Sequence, residues 1–123
     1  MLSRSHGQIG LQVANEPNAY CWSELYVRDP DAARAFYGAL FGWSCHESPG
    51  ADGDPYYELG PTPARNVAGP MPASWTVYFQ VADLDQSLTT LQSLGGTMVM
   101  PPMDVPEVGR FARVTDPTGA QFS

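Results

Sequence analysis

The chain has 123 residues, a formal charge of −7 and a pI near 4.4, with six arginines and no lysine. That length predicts one domain, and 43% apolar with 11% aromatic residues supplies a core, so neither general disorder nor a disulfide scaffold is implied. The charge balance argues against nucleic acid and anionic membranes as partners, because either would need clustered cations to displace counterions.

Residues 1–18 read as an N-terminal arm. The first twenty residues hold no apolar h-region and no cleavage site, and no run approaches the roughly 18 apolar residues of a spanning helix. A cytoplasmic protein is therefore expected, with Cys21 and Cys45 as buried, unbridged thiols, since neither has CxxC or Cys/His metal spacing. The absence of lysine, a single isoleucine (Ile9) and abundant Ala, Gly and Pro fit GC-rich coding of the actinobacterial kind.

A strand is predicted over 21–27. Its period of two places Leu25 and Val27 on one face and Trp22, Glu24 and Tyr26 on the other. Asp29 is then placed to cap a helix, with Pro30 at its first position and Asp31 at the positive end of its dipole. Ala33, Phe36, Tyr37 and Leu40 form the apolar stripe of that helix, and Gly42 stops it. Short strands follow over 43–47, 56–60 and 65–69, separated by the turn segments SPGADGDP (48–55) and PTP (61–63). Residues 70–74, PMPAS, make a stiff linker.

The pattern then repeats at a shift of 54, with Val81, Asp83, Asp85, Leu94 and Gly96 over Val27, Asp29, Asp31, Leu40 and Gly42. The strand over 75–81 puts Trp75, Val77, Phe79 and Val81 on a face suited to helix cover, and Thr76, Tyr78 and Gln80 on the other. Asp83 is the second cap, with Gln86 spaced to close a capping box. Leu84, Leu88, Leu91 and Leu94 form the second stripe, and Gly95-Gly96 the stop. Strands are expected over 97–100, 110–115 and from 120 onward, with Pro101-Pro102 and the DPTG of 116–119 as turns.

The segments DPDAARAFYGALFGW (29–43), VADLD with LGG (81–96), and the GRFARVTDPTGAQF ending resemble the vicinal oxygen chelate superfamily, which groups glyoxalase I, bleomycin-resistance proteins, extradiol dioxygenases and methylmalonyl-CoA epimerase. The resemblance implies an α+β fold of two βαβββ modules, 19–69 and 75–123, forming one domain whose curved mixed sheet closes as half-barrels around a pocket. It also implies metal ligands on the inner face. Matching positions fall on Trp22, Thr76 and Ser123, with the fourth within 65–69, which contains no His, Glu or Gln. Indole has no lone pair to donate and hydroxyls are poor ligands for Zn, Ni, Mn or Fe, so no metal or other cofactor is expected.

Under this reading Trp22, Glu24, Tyr26, Thr76, Tyr78 and Gln80 face the pocket, with Trp43, His46, Tyr57, Met100, Met103, Phe111 and Arg113 as further contributors. Flat aromatic faces beside a few polar groups suit a planar, partly polar ligand. Glu24 stands out, either as a partner for a cationic group or general base, or as one half of an ion pair with Arg28 or Arg113, or as a carboxylate on a solvated edge. No G-x-S-x-G, P-loop or G-x-G-x-x-G motif competes, and Cys45 and His46 point to opposite faces of a strand.

The expectation is a metal-free protein resembling the bleomycin-resistance branch. It would hold an aromatic, neutral or cationic drug or natural product by sequestration and act as a homodimer. The alternative is an enzyme of the same fold, a lyase, isomerase or oxygenase acting on a small metabolite, with Glu24 or a tyrosine as acid or base.

Overall fold

The computed structural model describes residues 13–49, 55–60, 62–66, 73–106 and 108–123. Residues 1–12 of the expected arm, 50–54 of the first turn, Pro61, and 67–72 at the end of the third short strand and in the linker lie outside the described residues.

Ten elements follow in the order β1 (Tyr20–Val27), α1 (Pro30–Phe41), β2 (Cys45–Pro49), β3 (Pro55–Leu59), β4 (Thr62–Asn66), β5 (Ser74–Phe79), α2 (Leu84–Ser93), β6 (Thr97–Val105), β7 (Gly109–Thr115) and β8 (Gln121–Phe122). This is βαβββ written twice. The 54-residue shift carries the start of β1 onto that of β5 and the start of α1 onto that of α2. The caps obey it too: Asp29 Oδ1 accepts the Ala32 N–H at 3.0 Å and Asp83 Oδ1 the Gln86 N–H at 2.9 Å. Each cap contributes about 1 kcal/mol by satisfying an N–H that the first helical turn leaves without a partner. The capping box is not closed, because the Gln86 amide turns forward one helical turn to Thr90 Oγ1 instead of back to the cap. Gly42 ends α1 in the left-handed conformation, and Gly95 follows α2 in the same one.

The strands form sheets of order β2-β3-β4-β1-β5 and β6-β7-β8. Two backbone bonds join them: Phe79 N–H to the Ser123 carbonyl at 2.8 Å, and Ser123 N–H to the Val77 carbonyl at 2.9 Å. That pattern is a parallel pairing of Ser123 with Tyr78, and it matches the parallel β1–β4 pairing of the first module. The strand order β2-β3-β4-β1-β5-β8-β7-β6 is therefore palindromic by module, with the antiparallel β1–β5 pair at its centre.

α1 packs on β3 and β4, and α2 on β6 and β7. Beneath α1 lie buried Leu25, Val27 and Leu59, contacted by Ala33, Tyr37, Trp43, Cys45 and Tyr57. Gly60 is required here, having φ +59° and leaving a Cβ only 2.6 Å from Trp43 Cγ. In the second module Ala112 and Val114 are buried on β7.

Beyond the open capping box, the structure departs from the sequence expectations at several positions, among them Leu94, which ends α2 and is exposed instead of joining its apolar stripe. Phe36 and Leu40 flank the contact stripe of α1 and are exposed, while Ala33 and Tyr37 make the contact. Trp75, Val77 and Phe79 are also exposed, because each helix leans onto the later strands of its own module and α2 leaves the face of β5 uncovered. Pro101 and Pro102 do not form a turn. β6 runs through them as an edge strand, where missing N–H groups cost little, and the register shift between Met100 and Met103 absorbs them.

The DPTG segment is a turn, with Asp116 Oδ1 accepting from the Thr118 N–H and hydroxyl and from the Ala120 N–H. Neither cysteine is in a disulfide, and both are half-buried instead of fully buried as expected. Among the described residues no helix is long and apolar enough to cross a membrane.

Candidate functional site

The central strand pair sets the geometry. Trp22 is paired with Tyr78, Glu24 with Thr76 and Tyr26 with Ser74, so these six side chains share the sheet face opposite the helices. β7 contributes Phe111 and Arg113 to the same cluster. The Phe111 ring meets the Tyr78 ring edge-on at 5.9 Å, and the Arg113 guanidinium lies 4.1 Å over the centre of the Tyr26 ring.

At the heart of the cluster, Glu24 is 5% exposed and accepts two phenol hydroxyls on one oxygen. Tyr78 Oη donates to Oε2 at 2.6 Å and Tyr26 Oη donates to the same oxygen at 2.7 Å. The two phenol oxygens are 3.2 Å apart. Thr76 and Arg113 are each 2% exposed beside them. Hydrogen bonds to an ionised acceptor are short and strong, and burial of a carboxylate demands such partners. Burial first, then Glu24, push both phenols above the ordinary tyrosine range; for Tyr26 the Arg113 charge acts in the opposite direction. Both therefore remain protonated donors at neutral pH. The buried carboxylate and guanidinium balance in charge, and the tyrosine oxygens remain able to accept from a ligand donor.

Above this polar centre Trp22 is 49% exposed, an indole face presented to solvent beside Tyr78. A cavity of about 540 Å³ lies at the β6–β7 hairpin around Asp104, Val108 and Arg110, and one of about 340 Å³ lies on the helix side between Phe36 and Trp75. Glu24 and Tyr78 line neither of them, while Tyr26 and Ser74 of the central strand pair also border the second.

The other residues singled out from the sequence are placed apart. Trp43 stacks on Tyr37 at 5.8 Å in the cluster under α1, and Tyr57 packs into the same cluster. His46 is exposed on β2, across from Glu58. Gln80 lies beyond the end of β5, its backbone bonded to Ala19 and to Asn18, the last residue of the expected arm. Met100 and Met103 sit across from Arg113 and Phe111 on β6. Ser74 was not singled out; it belongs to the face by parity with Thr76, a signal hidden by assigning it to the linker.

The positions that the resemblance assigns to metal ligands hold Trp22, Thr76 and Ser123, and among the described residues no group of three or more His, Cys, Asp or Glu could hold a metal ion. The donor set present does not fit a divalent metal.

A family model described as the Glyoxalase/Bleomycin resistance protein/Dioxygenase superfamily matches residues 12–123. The chain is 38% identical, over 99% of its length, to 49% of a protein from Mycobacterium bovis described as "Putative glyoxylase CFP32". It is 35% identical, over 87% of its length, to 46% of the "Anthracycline biosynthesis protein DauV" of a Streptomyces species. The chain thus spans about half the length of these curated relatives. A hypothetical protein of known structure from Methanosarcina mazei is 23% identical and superposes with a TM-score of 0.46, covering 82% of this chain and 85% of that one.

Proposed function

The chain belongs to the glyoxalase/bleomycin resistance protein/dioxygenase superfamily, and from that premise we propose that it binds a planar aromatic small molecule on the sheet face opposite its helices and sequesters it without turning it over. In this reading the ligand stacks on Trp22 and is oriented by the Glu24, Tyr26 and Tyr78 cluster, while the sheet curls as a half-barrel around it. The observation that carries the proposal is the convergence of two phenols on one buried carboxylate directly beside an exposed indole. The Glu24 and Arg113 charges balance within the cluster, and the −7 net charge of the chain favours a neutral or cationic ligand over an anionic one. The anthracycline biosynthesis relatives point to polycyclic aromatic polyketides as the class to try first.

A second reading is favoured by the same convergence together with the glyoxylase description of the mycobacterial relatives: Glu24 takes a proton from a substrate and the phenols stabilise the resulting charge. One variant separates the two. Isothermal titration with a set of anthracyclinones should give saturable binding, with Glu24→Gln shifting the affinity by about tenfold, one hydrogen bond's worth of charge assistance. Turnover of any of these compounds by the wild type, abolished in Glu24→Gln, would replace sequestration with catalysis.

A further inference from the structure

The pairing registers carry the ligand face beyond the central strands into the first module. Tyr26 is paired with Arg65 on β4, Arg65 with Tyr56 on β3, and Tyr56 with Ser48 on β2. Residues paired directly share a sheet face, so Tyr56 and Ser48 lie on the side of Tyr26, opposite the helices. Two residues away on the same strands, Glu58 and His46 are paired with each other and share that face by the period of two. The intervening residues point the other way: Cys45, Tyr57 and Leu59 all pack in the cluster under α1. Glu58 also pairs with Pro63, which the β1–β4 register sets beside Glu24, so Glu24, Glu58 and His46 fall in one row across the sheet. With strands about 4.8 Å apart, Glu58 stands about 10 Å from Glu24 along that row and His46 about 14 Å. Both side chains are exposed.

Given the binding of an aromatic ligand beside Trp22 proposed above, on which this step rests, we infer that Glu58 and His46 form a second subsite on the same face, one that takes a hydroxylated, sugar-type substituent of that ligand. The two ends of the face differ in chemistry. Around Trp22 the groups are aromatic rings and a carboxylate already engaged by two phenols, which suits a flat body. On β2 and β3 the same face offers a carboxylate, an imidazole and, on Ser48, a hydroxyl. A carboxylate only accepts, a neutral imidazole donates from one nitrogen and accepts at the other, and a hydroxyl does both. Neighbouring hydroxyls of a sugar ring need that mixture, because each brings one donor and accepts as well. Directly paired residues have Cβ atoms about 5 Å apart, close enough for Glu58 and His46 to reach adjacent hydroxyls of one ring. A phosphate or sulfate substituent would meet the Glu58 charge on a chain of net charge −7, which selects a neutral polyol over an anion.

Isothermal titration with a matched pair of probes tests this: an anthracyclinone, and the same anthracyclinone carrying one neutral sugar. The glycoside is expected to bind the wild type about tenfold more tightly than the anthracyclinone. His46→Ala and Glu58→Ala are each expected to remove most of that advantage and to leave the anthracyclinone affinity unchanged. Both side chains are exposed, so the fold stays intact by circular dichroism. Trp22→Ala should weaken both probes alike. A glycoside that binds no more tightly than the anthracyclinone, or an advantage that survives both the His46 and the Glu58 substitution, would overturn the subsite and leave binding at Trp22 standing. Failure of both probes to bind would instead overturn the binding reading, and the subsite with it.

Discussion

Arg113→Met is expected to lower the unfolding free energy by about 3–5 kcal/mol, the range for removing one partner from a buried charged cluster. Arg113 is 2% exposed and its guanidinium lies on the Tyr26 ring, so its charge and its planar face both act inside the protein. Methionine keeps much of the apolar stem and removes the charge. Glu24 then stays buried with phenol donors but without that positive charge, and Tyr26 loses the group stacked on it. Urea denaturation measures the loss. The exposed Arg34–Asp31 pair supplies the control, since an i,i+3 surface ion pair contributes less than about 0.5 kcal/mol, and Arg34→Met should be nearly silent. Adding Glu24→Gln to Arg113→Met should recover part of the stability, because the neutral amide no longer needs the cation. Additive losses would mean that the two groups do not share one electrostatic cluster.

Trp22→Ala is the substitution expected to damage ligand binding most while sparing the fold. At 49% exposure the indole adds little to the core, so the midpoint of unfolding should move little. Its flat face is the stacking surface of the proposed site, and removal of one stacked aromatic costs about 2 kcal/mol, or roughly 30-fold in dissociation constant. Trp22→Phe should restore most of the affinity. Unchanged affinity in Trp22→Ala would remove the platform from the account.

Much of this architecture was legible because it is local. Asp29 and Asp83 announce their helices by side-chain chemistry that acts within one turn, and Gly42 and Gly95 stop them by conformations that L-residues seldom adopt. The facing of Glu24, Tyr26, Thr76 and Tyr78 followed from the period of two along a strand, which needs no knowledge of neighbours. What the sequence could not reveal depends on how distant elements lean on one another. Trp75, Val77 and Phe79 read as helix-covered because nothing local says that α2 reaches over β6 and β7 instead of β5. Trp43 and Tyr57 had the aromatic character of a ligand site, but they follow the helix-side cluster, whose depth is set by β3 and Gly60. Pro101 and Pro102 looked like a turn because proline usually interrupts a sheet; an edge position removes the objection. The placement of Arg113 on Tyr26 joins residues 87 apart in sequence, beyond any motif.

Ligand binding on the Trp22 face can be read from the indole N–H signals of the three tryptophans in a ¹⁵N-labelled sample titrated with an anthracyclinone. The Trp22 signal is expected to move with saturation, while those of Trp43 under α1 and Trp75 on the helix side stay where they are. Saturable movement of the Trp75 signal with Trp22 unmoved would contradict it and put the ligand on the opposite face.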